Sequence, residues 1–150
     1  MMTKTESILS MWVEARTRLT KQLPAITEAD LVKKLHPDSN SIGFLLRHIG
    51  DVEFLFAKNV FKATALQVHA KTIIAQKDTG EWTNHAELMN YITQSATELS
   101  AIISAQTDED WETKIETKEF GEKTKQEAVA RIISHTAYHA GQIGIILKYA

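Results

Sequence analysis

His135 and His139 lie one helical turn apart inside the apolar run RIISHTAYHAGQIGIILKY, and a third histidine, His48, lies inside a similar run, SIGFLLRHIGDVEFLF. These rings constrain the fold more than any other feature. An imidazole is costly to bury unless both ring nitrogens find partners, so a fold that turns these runs inward must satisfy three rings at once. Ala128, Ile132, His135, His139, Gln142 and Ile146 follow one another at alternating intervals of four and three, which makes them one helical stripe whose other members are mostly apolar. Both imidazoles are therefore expected to face the core. Residues four apart have Cβ atoms about 5–6 Å from each other, and two such rings can converge on one ion at about 2.0–2.1 Å per nitrogen. His48 occupies the matching stripe of an upstream helix, with Phe44, Leu45, Val52, Leu55 and Phe56. If the two helices are neighbours, three neutral imidazoles meet.

Only six Gly and two Pro occur, which suits helices better than a sandwich or barrel. The spacing of Ile8, Met11, Trp12, Ala15 and Leu19 predicts a first helix from about Thr5 to Gln22, closed by Pro24. Thr27 to Asp30 reads as a capped turn, and His36 to Asn40 as a dense turn signal. A second helix is expected from near Ser41 to about Phe61. Residues 62–82 carry no clear period: Ala65 to Ala75 fits a short helix or an extended piece. Asn84 and Glu87 form a capping pair that opens a third helix reaching about Ala105. Thr107 to Asp110 is another capped turn, and Glu112 to Glu122 suggests a short hairpin turning at Phe120-Gly121. Thr124 and Glu127 form a capping box for a fourth helix running nearly to the C-terminus. The reading is all-α, a four-helix bundle in a single domain over residues 1–150, with longer connections between helices one and two and between two and three.

The formal net charge of −2 provides no basic footprint for nucleic acid. The absence of cysteine rules out disulfides, zinc–thiolate sites and a cysteine nucleophile, and it fits a reducing cytoplasm. Any metal must be held by His and carboxylate. The N-terminal residues do not read as a signal peptide, and charge or His interrupts every apolar stretch before it could span a membrane.

A three-His set leaves coordination positions for water or substrate, the arrangement of a catalytic site. The ligands suit zinc, nickel or iron without choosing among them. The nucleophile would be a metal-bound water, with its pKa lowered to about 7, or a coordinated thiolate. Asp51 lies at the edge of the His48 face and is a candidate support or base, although a helix carboxylate is commonly solvated. Tyr138 and Gln142 flank the histidine pair and could orient a substrate. Glu53 points further away, and His36, His69 and His85 read as surface or capping residues. Gly141 and Gly144 suggest a close backbone approach, within the bundle or across a dimer. Trp12, Trp82 and Trp111 read as core or loop anchors. Two other readings use the same rings: a non-catalytic bundle in which an ion or small ligand joins two helices, and a purely structural bundle with hydrogen-bonded histidines.

Two patterns together, Ser41-Ile42 with His48-Ile49 and His135 with His139, Gly141 and Gln142, resemble the DinB-like (DinB/YfiT-like) superfamily of small four-helix metalloproteins. Helix order and length agree over essentially the whole chain. The resemblance implies that His48, His135 and His139 bind a divalent metal, often in a homodimer. It also implies activities that include S-transferases and isomerases using low-molecular-weight thiols, and no DNA contact. Members often carry Arg after the second C-terminal His, where this chain has Ala140, and Tyr138 stands where a small or charged residue is more usual. These departures leave the triad intact and loosen any inference about substrate.

Overall fold

The computed structural model describes residues 1–150. Four long helices make a bundle: α1 (Lys4–Thr20), α2 (Ile42–Asn59), α4 (His85–Ser104) and α5 (Lys125–Tyr149). A one-turn helix, α3 (Lys71–Ala75), lies between α2 and α4. A two-stranded antiparallel hairpin, β1 (Lys114–Thr117) and β2 (Gly121–Thr124), precedes α5.

Each long helix starts where a side chain satisfies its free N–H groups. Thr3 and Glu6 form a reciprocal capping box on α1, and Thr124 and Glu127 do so on α5. Ser41 accepts from the Phe44 N–H at 3.2 Å and Asn84 from the Glu87 N–H at 3.0 Å. The expected turns at Thr27–Asp30 and Thr107–Asp110 are 3₁₀ segments held by their own Thr–Asp hydrogen bonds. Gly121 supplies the hairpin turn with a φ of +68°.

The core has two apolar halves. In one, Leu19 packs with Ile42 to Ile49, Leu88, Ile92, Ala140 and Ile143. In the other, Ile8 and Trp12 pack with Val52, Phe56, Ala57, Val60, Leu99, Ile103, Ala128 and Ile132. This pairing fixes the helix directions: α1 runs parallel to α5, α2 runs parallel to α4, and the two pairs oppose each other. Around the bundle the neighbours are α1–α4–α2–α5. Two parallel neighbours require a connection that travels back along the bundle, which is why residues 60–84 are long and hold only one helical turn. Gln76 ends α3 in the left-handed conformation at a φ of +57°. No helix is long and apolar enough to cross a membrane.

On all four helices a polar residue falls between the two halves: Arg16, Glu53, Ser95 and Thr136, all buried. Arg16 Nε sits 3.3 Å from both carboxylate oxygens of Glu53, and its Nη2 donates to the Ile92 carbonyl at 2.8 Å. Glu53 thus lies wholly inside the bundle, as the partner of Arg16. Within the bundle the close backbone approaches fall at glycines of α2 rather than at Gly141 and Gly144 of α5. A Cβ on Gly43 would collide with the Trp82 carbonyl, and one on Gly50 would come within 2.6 Å of the Tyr91 ring. Gly141 faces open space, and Gly144 meets only the flexible end of Gln22.

Burial pushes the Glu53 carboxyl up to about 7, against the opposing pull of the Arg16 guanidinium. The folded chain keeps this proton over a range in which the unfolded chain, with a carboxyl near 4.5, has released it. The group's contribution to stability therefore falls as pH rises from about 4.5 to about 7. Glu53→Gln removes that slope: between pH 5 and pH 7.5 the urea midpoint of the wild type should drop relative to that of the variant. Parallel midpoints would mean that Glu53 is ionised throughout.

Candidate metal centre

α2 and α5 are adjacent and antiparallel, and at the level of the polar layer they bring His48, His135 and His139 together. One ligand atom from each ring lies within 4.8 Å of the others. The Nε2 atoms of His48 and His135 are 3.1 Å apart. Two ligands on a tetrahedral ion with bonds of about 2.0–2.1 Å are separated by about 3.3 Å, so this spacing is already close to a coordinated one.

The rings do not point straight into the core. The buried stripe of α5 is Ala128, Ile132, Thr136, Ala140, Ile143 and Ile146, one residue round from the stripe read through His135, His139 and Gln142. At 3.6 residues per turn the two stripes share their ends and diverge in the middle. The three histidines are half-buried at the core's edge, and His135 and His139 open onto a cleft of about 400 Å³ lined also by Val52, Phe56, Glu119, Arg131, Ser134 and Tyr138. A separate cavity of about 510 Å³ lies past Phe56 and Glu119, between the end of α2 and the hairpin, and touches no histidine.

Asp51 departs from the expected solvated carboxylate. It is 0% exposed and accepts four hydrogen bonds. Arg47 Nε donates to Oδ1 at 2.9 Å and the Tyr91 hydroxyl at 2.6 Å, while the Thr72 N–H and hydroxyl donate to Oδ2 at 3.0 and 2.7 Å. Burial, and after it the Asp51 carboxylate, hold the Tyr91 phenol well above its usual range, so it remains a donor. The Thr72 hydroxyl spends its proton on Asp51, so its oxygen accepts at the His48 Nδ1, 3.0 Å away. That fixes the proton of His48 on Nδ1 and leaves the Nε2 lone pair facing the other rings. On α5, His139 Nδ1 lies 2.6 Å from Gln142 Oε1, which sets the same tautomer. His135 differs, because its Nδ1 is buried without a partner.

Burial lowers the basicity of all three rings. His48 falls to about 4 and His135 to about 3, each lowered further by the neighbouring imidazoles; His139 is lowered less, with Gln142 opposing. Three neutral rings within reach of one another, two of them with the ring proton held on Nδ1, suit a borderline divalent ion such as zinc, nickel or iron. The donor set fits such an ion, with the unpartnered His135 nitrogen as its weakest support.

Tyr138 stands at the cleft mouth, 66% exposed, with its ring edge-on to His139 at 5.1 Å. The other three histidines stay out of the cluster. His36 and His69 are exposed, and His85 Nε2 lies 2.9 Å from the Ile26 carbonyl. Thr72, Arg47 and Tyr91 escape a reading of the sequence. Only the four-residue spacing of Arg47 and Asp51 inside an apolar helix signals part of this network.

An all-α bundle that carries three histidines on two facing helices defines a recognisable class of fold. The sequence matches the DinB superfamily over residues 11–143, and the chain belongs to that superfamily. No curated protein sequence matches it. Among solved structures it is similar to a mycothiol-dependent maleylpyruvate isomerase, with a TM-score of 0.75 and 16% identity over 96% of this chain. The chain spans only 64% of that enzyme's length. It is also similar to a DinB-like protein from Bacillus cereus ATCC 10987 (TM-score 0.74, 19% identity, 95% of this chain and 90% of that one). A conserved protein from Enterococcus faecalis gives a TM-score of 0.69 at 16% identity, covering 97% of this chain and 96% of that one. At these identities the likeness is one of fold.

Ala140, where an Arg would follow the second histidine, is completely buried, and its carbonyl accepts from Gln22 Nε2 at 2.8 Å. Removing the support behind His48 or His139 should weaken metal uptake without dismantling the triad. Thr72→Val and Gln142→Leu are each expected to lower zinc affinity about 10–100-fold in competition with a chromogenic chelator. Unchanged affinity in both variants would show that these hydrogen bonds do not orient the ligands.

Proposed function

We propose that this protein binds one divalent metal ion through His48, His135 and His139 and is a metal-dependent enzyme of the S-transferase type, working with a low-molecular-weight thiol. Hydrolysis is the sister chemistry. The observation that carries this reading is the convergence of three neutral imidazoles beside an open cleft, two of them held by hydrogen bonds that keep the ring proton on Nδ1 and leave Nε2 unprotonated. The similarity to a mycothiol-dependent isomerase supports the thiol.

When bound, such an ion supplies Lewis acidity, lowering the pKa of a thiol or water that joins it. The chain's own residues do the rest. Asp51, through Thr72, keeps the His48 proton on Nδ1 and the ring fixed, and Gln142 does the same for His139. Val52 and Phe56 form an apolar floor that keeps water off one side of the cleft, and Tyr138 closes its outer edge. The proposal includes a homodimer. An exposed strip of Tyr138, Ile145 and Tyr149 along α5, with open space beside Gly141, supports it.

Elemental analysis of protein purified without a histidine tag is the first test: about one equivalent of zinc, nickel or iron is expected, falling to trace in His139→Ala. Protein that holds no stoichiometric divalent metal, and takes up none on titration, would sink the reading. Loaded protein that turns over no pairing of thiol and electrophile would leave a metal-binding bundle without catalysis.

A further inference from the structure

Arg16 and Arg47 spend their guanidinium groups inside the fold, on Glu53 and the Ile92 carbonyl and on Asp51 and the His69 carbonyl. Arg131 does not. It sits one helical turn before His135 and lines the same cleft, yet its side chain makes no hydrogen bond within the chain; the nearest carboxylate oxygen, on Glu119, is 4.0 Å from Nη2. That ion pair is open to water, with side chains 45% and 67% exposed, and is correspondingly weak. The guanidinium is nevertheless positioned, because it lies 4.9 Å over the Phe120 ring. It is the only guanidinium or ammonium group among the residues lining this cleft.

We propose that the cleft beside the triad is a subsite for an organic carboxylate: Arg131 takes the carboxylate, and Val52 and Phe56 take an apolar body. The planar fork of Arg131 matches a carboxylate edge to edge. A phosphate dianion fits less well, because the cleft offers one cation and sets the Glu119 carboxylate beside it. Glu119 then acts as a competing internal anion that a ligand displaces. Because Arg131 and His135 are four residues apart on one helix face, a ligand held by its carboxylate places its far end against the triad. This assigns a substrate class to the proposed enzyme and rests on that reading, but the subsite is a property of Arg131 with or without metal.

The test compares benzoate with benzamide, equal in shape and different in charge, by calorimetric titration of metal-free and zinc-loaded protein. Benzoate should bind about tenfold more tightly than benzamide in both forms. Arg131→Gln should abolish the difference, and Arg131→Lys should recover only part of it. Glu119→Gln should tighten benzoate about threefold. Arg131 is half-exposed, so its variants are expected to fold, and thermal melts check this. Equal binding of the two probes by wild type, or no binding of either, overturns the proposal. So does a preference for benzoate that persists in Arg131→Gln, or that vanishes when zinc is removed, since the carboxylate would then be on the metal. Inorganic phosphate displacing benzoate at lower concentration than benzoate's own dissociation constant also overturns it. If zinc fails to bind while the Arg131 effect stands in metal-free protein, the metalloenzyme reading falls and the subsite survives.

Discussion

The buried carboxylate of Asp51 is the constraint on which this structure turns. A carboxylate wholly removed from water is tolerable only when its lone pairs are filled. Here four donors from three segments fill them: Arg47 from the same helix, Tyr91 from α4, and both the backbone and the side chain of Thr72 from the connection. Satisfying one charge therefore fixes the spacing of α2 against α4 and clamps the connection to the bundle. It also sets the proton position on His48. Gly50 belongs to the same constraint, since any side chain there would push Tyr91 out of reach.

The polar layer extends this logic across the bundle. Arg16 and Glu53 pair inside the core between two apolar halves. A buried ion pair adds little net stability against a well-packed apolar pair. What it does supply is register: sliding α1 along α2 by one turn would leave both charges unpaired. The histidines lie at the same level, so the layer that fixes helix register also fixes the height at which the rings meet.

Much of the scaffold could be read from the residues. The capping signals at Thr124–Glu127, Asn84–Glu87, Thr27–Asp30 and Thr107–Asp110 are local chemistry, and local chemistry survives folding. The bundle itself followed from helical period and sparse Gly and Pro. The candidate site was legible only as far as its three histidines. Periodicity located three rings but placed the α5 pair straight into the core, because a stripe counted in fours and threes tolerates an offset of one residue. Asp51 read as a solvated helix carboxylate because the spacing of Arg47 shows only one of its four donors, and Glu53 was set aside because its cation, Arg16, lies on another helix. Thr72 had no signal at all: it lies in a stretch without period, and its role depends on contacts 21 and 24 residues away. Inside the bundle no neighbour approaches Gly141, since a glycine's cost within a helix does not say whether the neighbour it admits lies within the fold or across a dimer.

Parallel α2 and α4 oblige the chain to carry residues 60–84 back along the bundle, and that passage contributes few buried side chains, Ala70, Thr72 and Trp82 among residues 61–82. Its hold depends on polar clasps: Thr72 on Asp51, the His69 carbonyl on Arg47, and the Ser41 N–H on Asp78. Segments of this kind open at a lower free energy than the helices they cross. The three imidazoles thus sit on the long helices, while the hydroxyl that orients His48 belongs to a segment expected to open more readily. Amide protons on the two should exchange on separate clocks, and the site's orientation can relax while its scaffold stays folded.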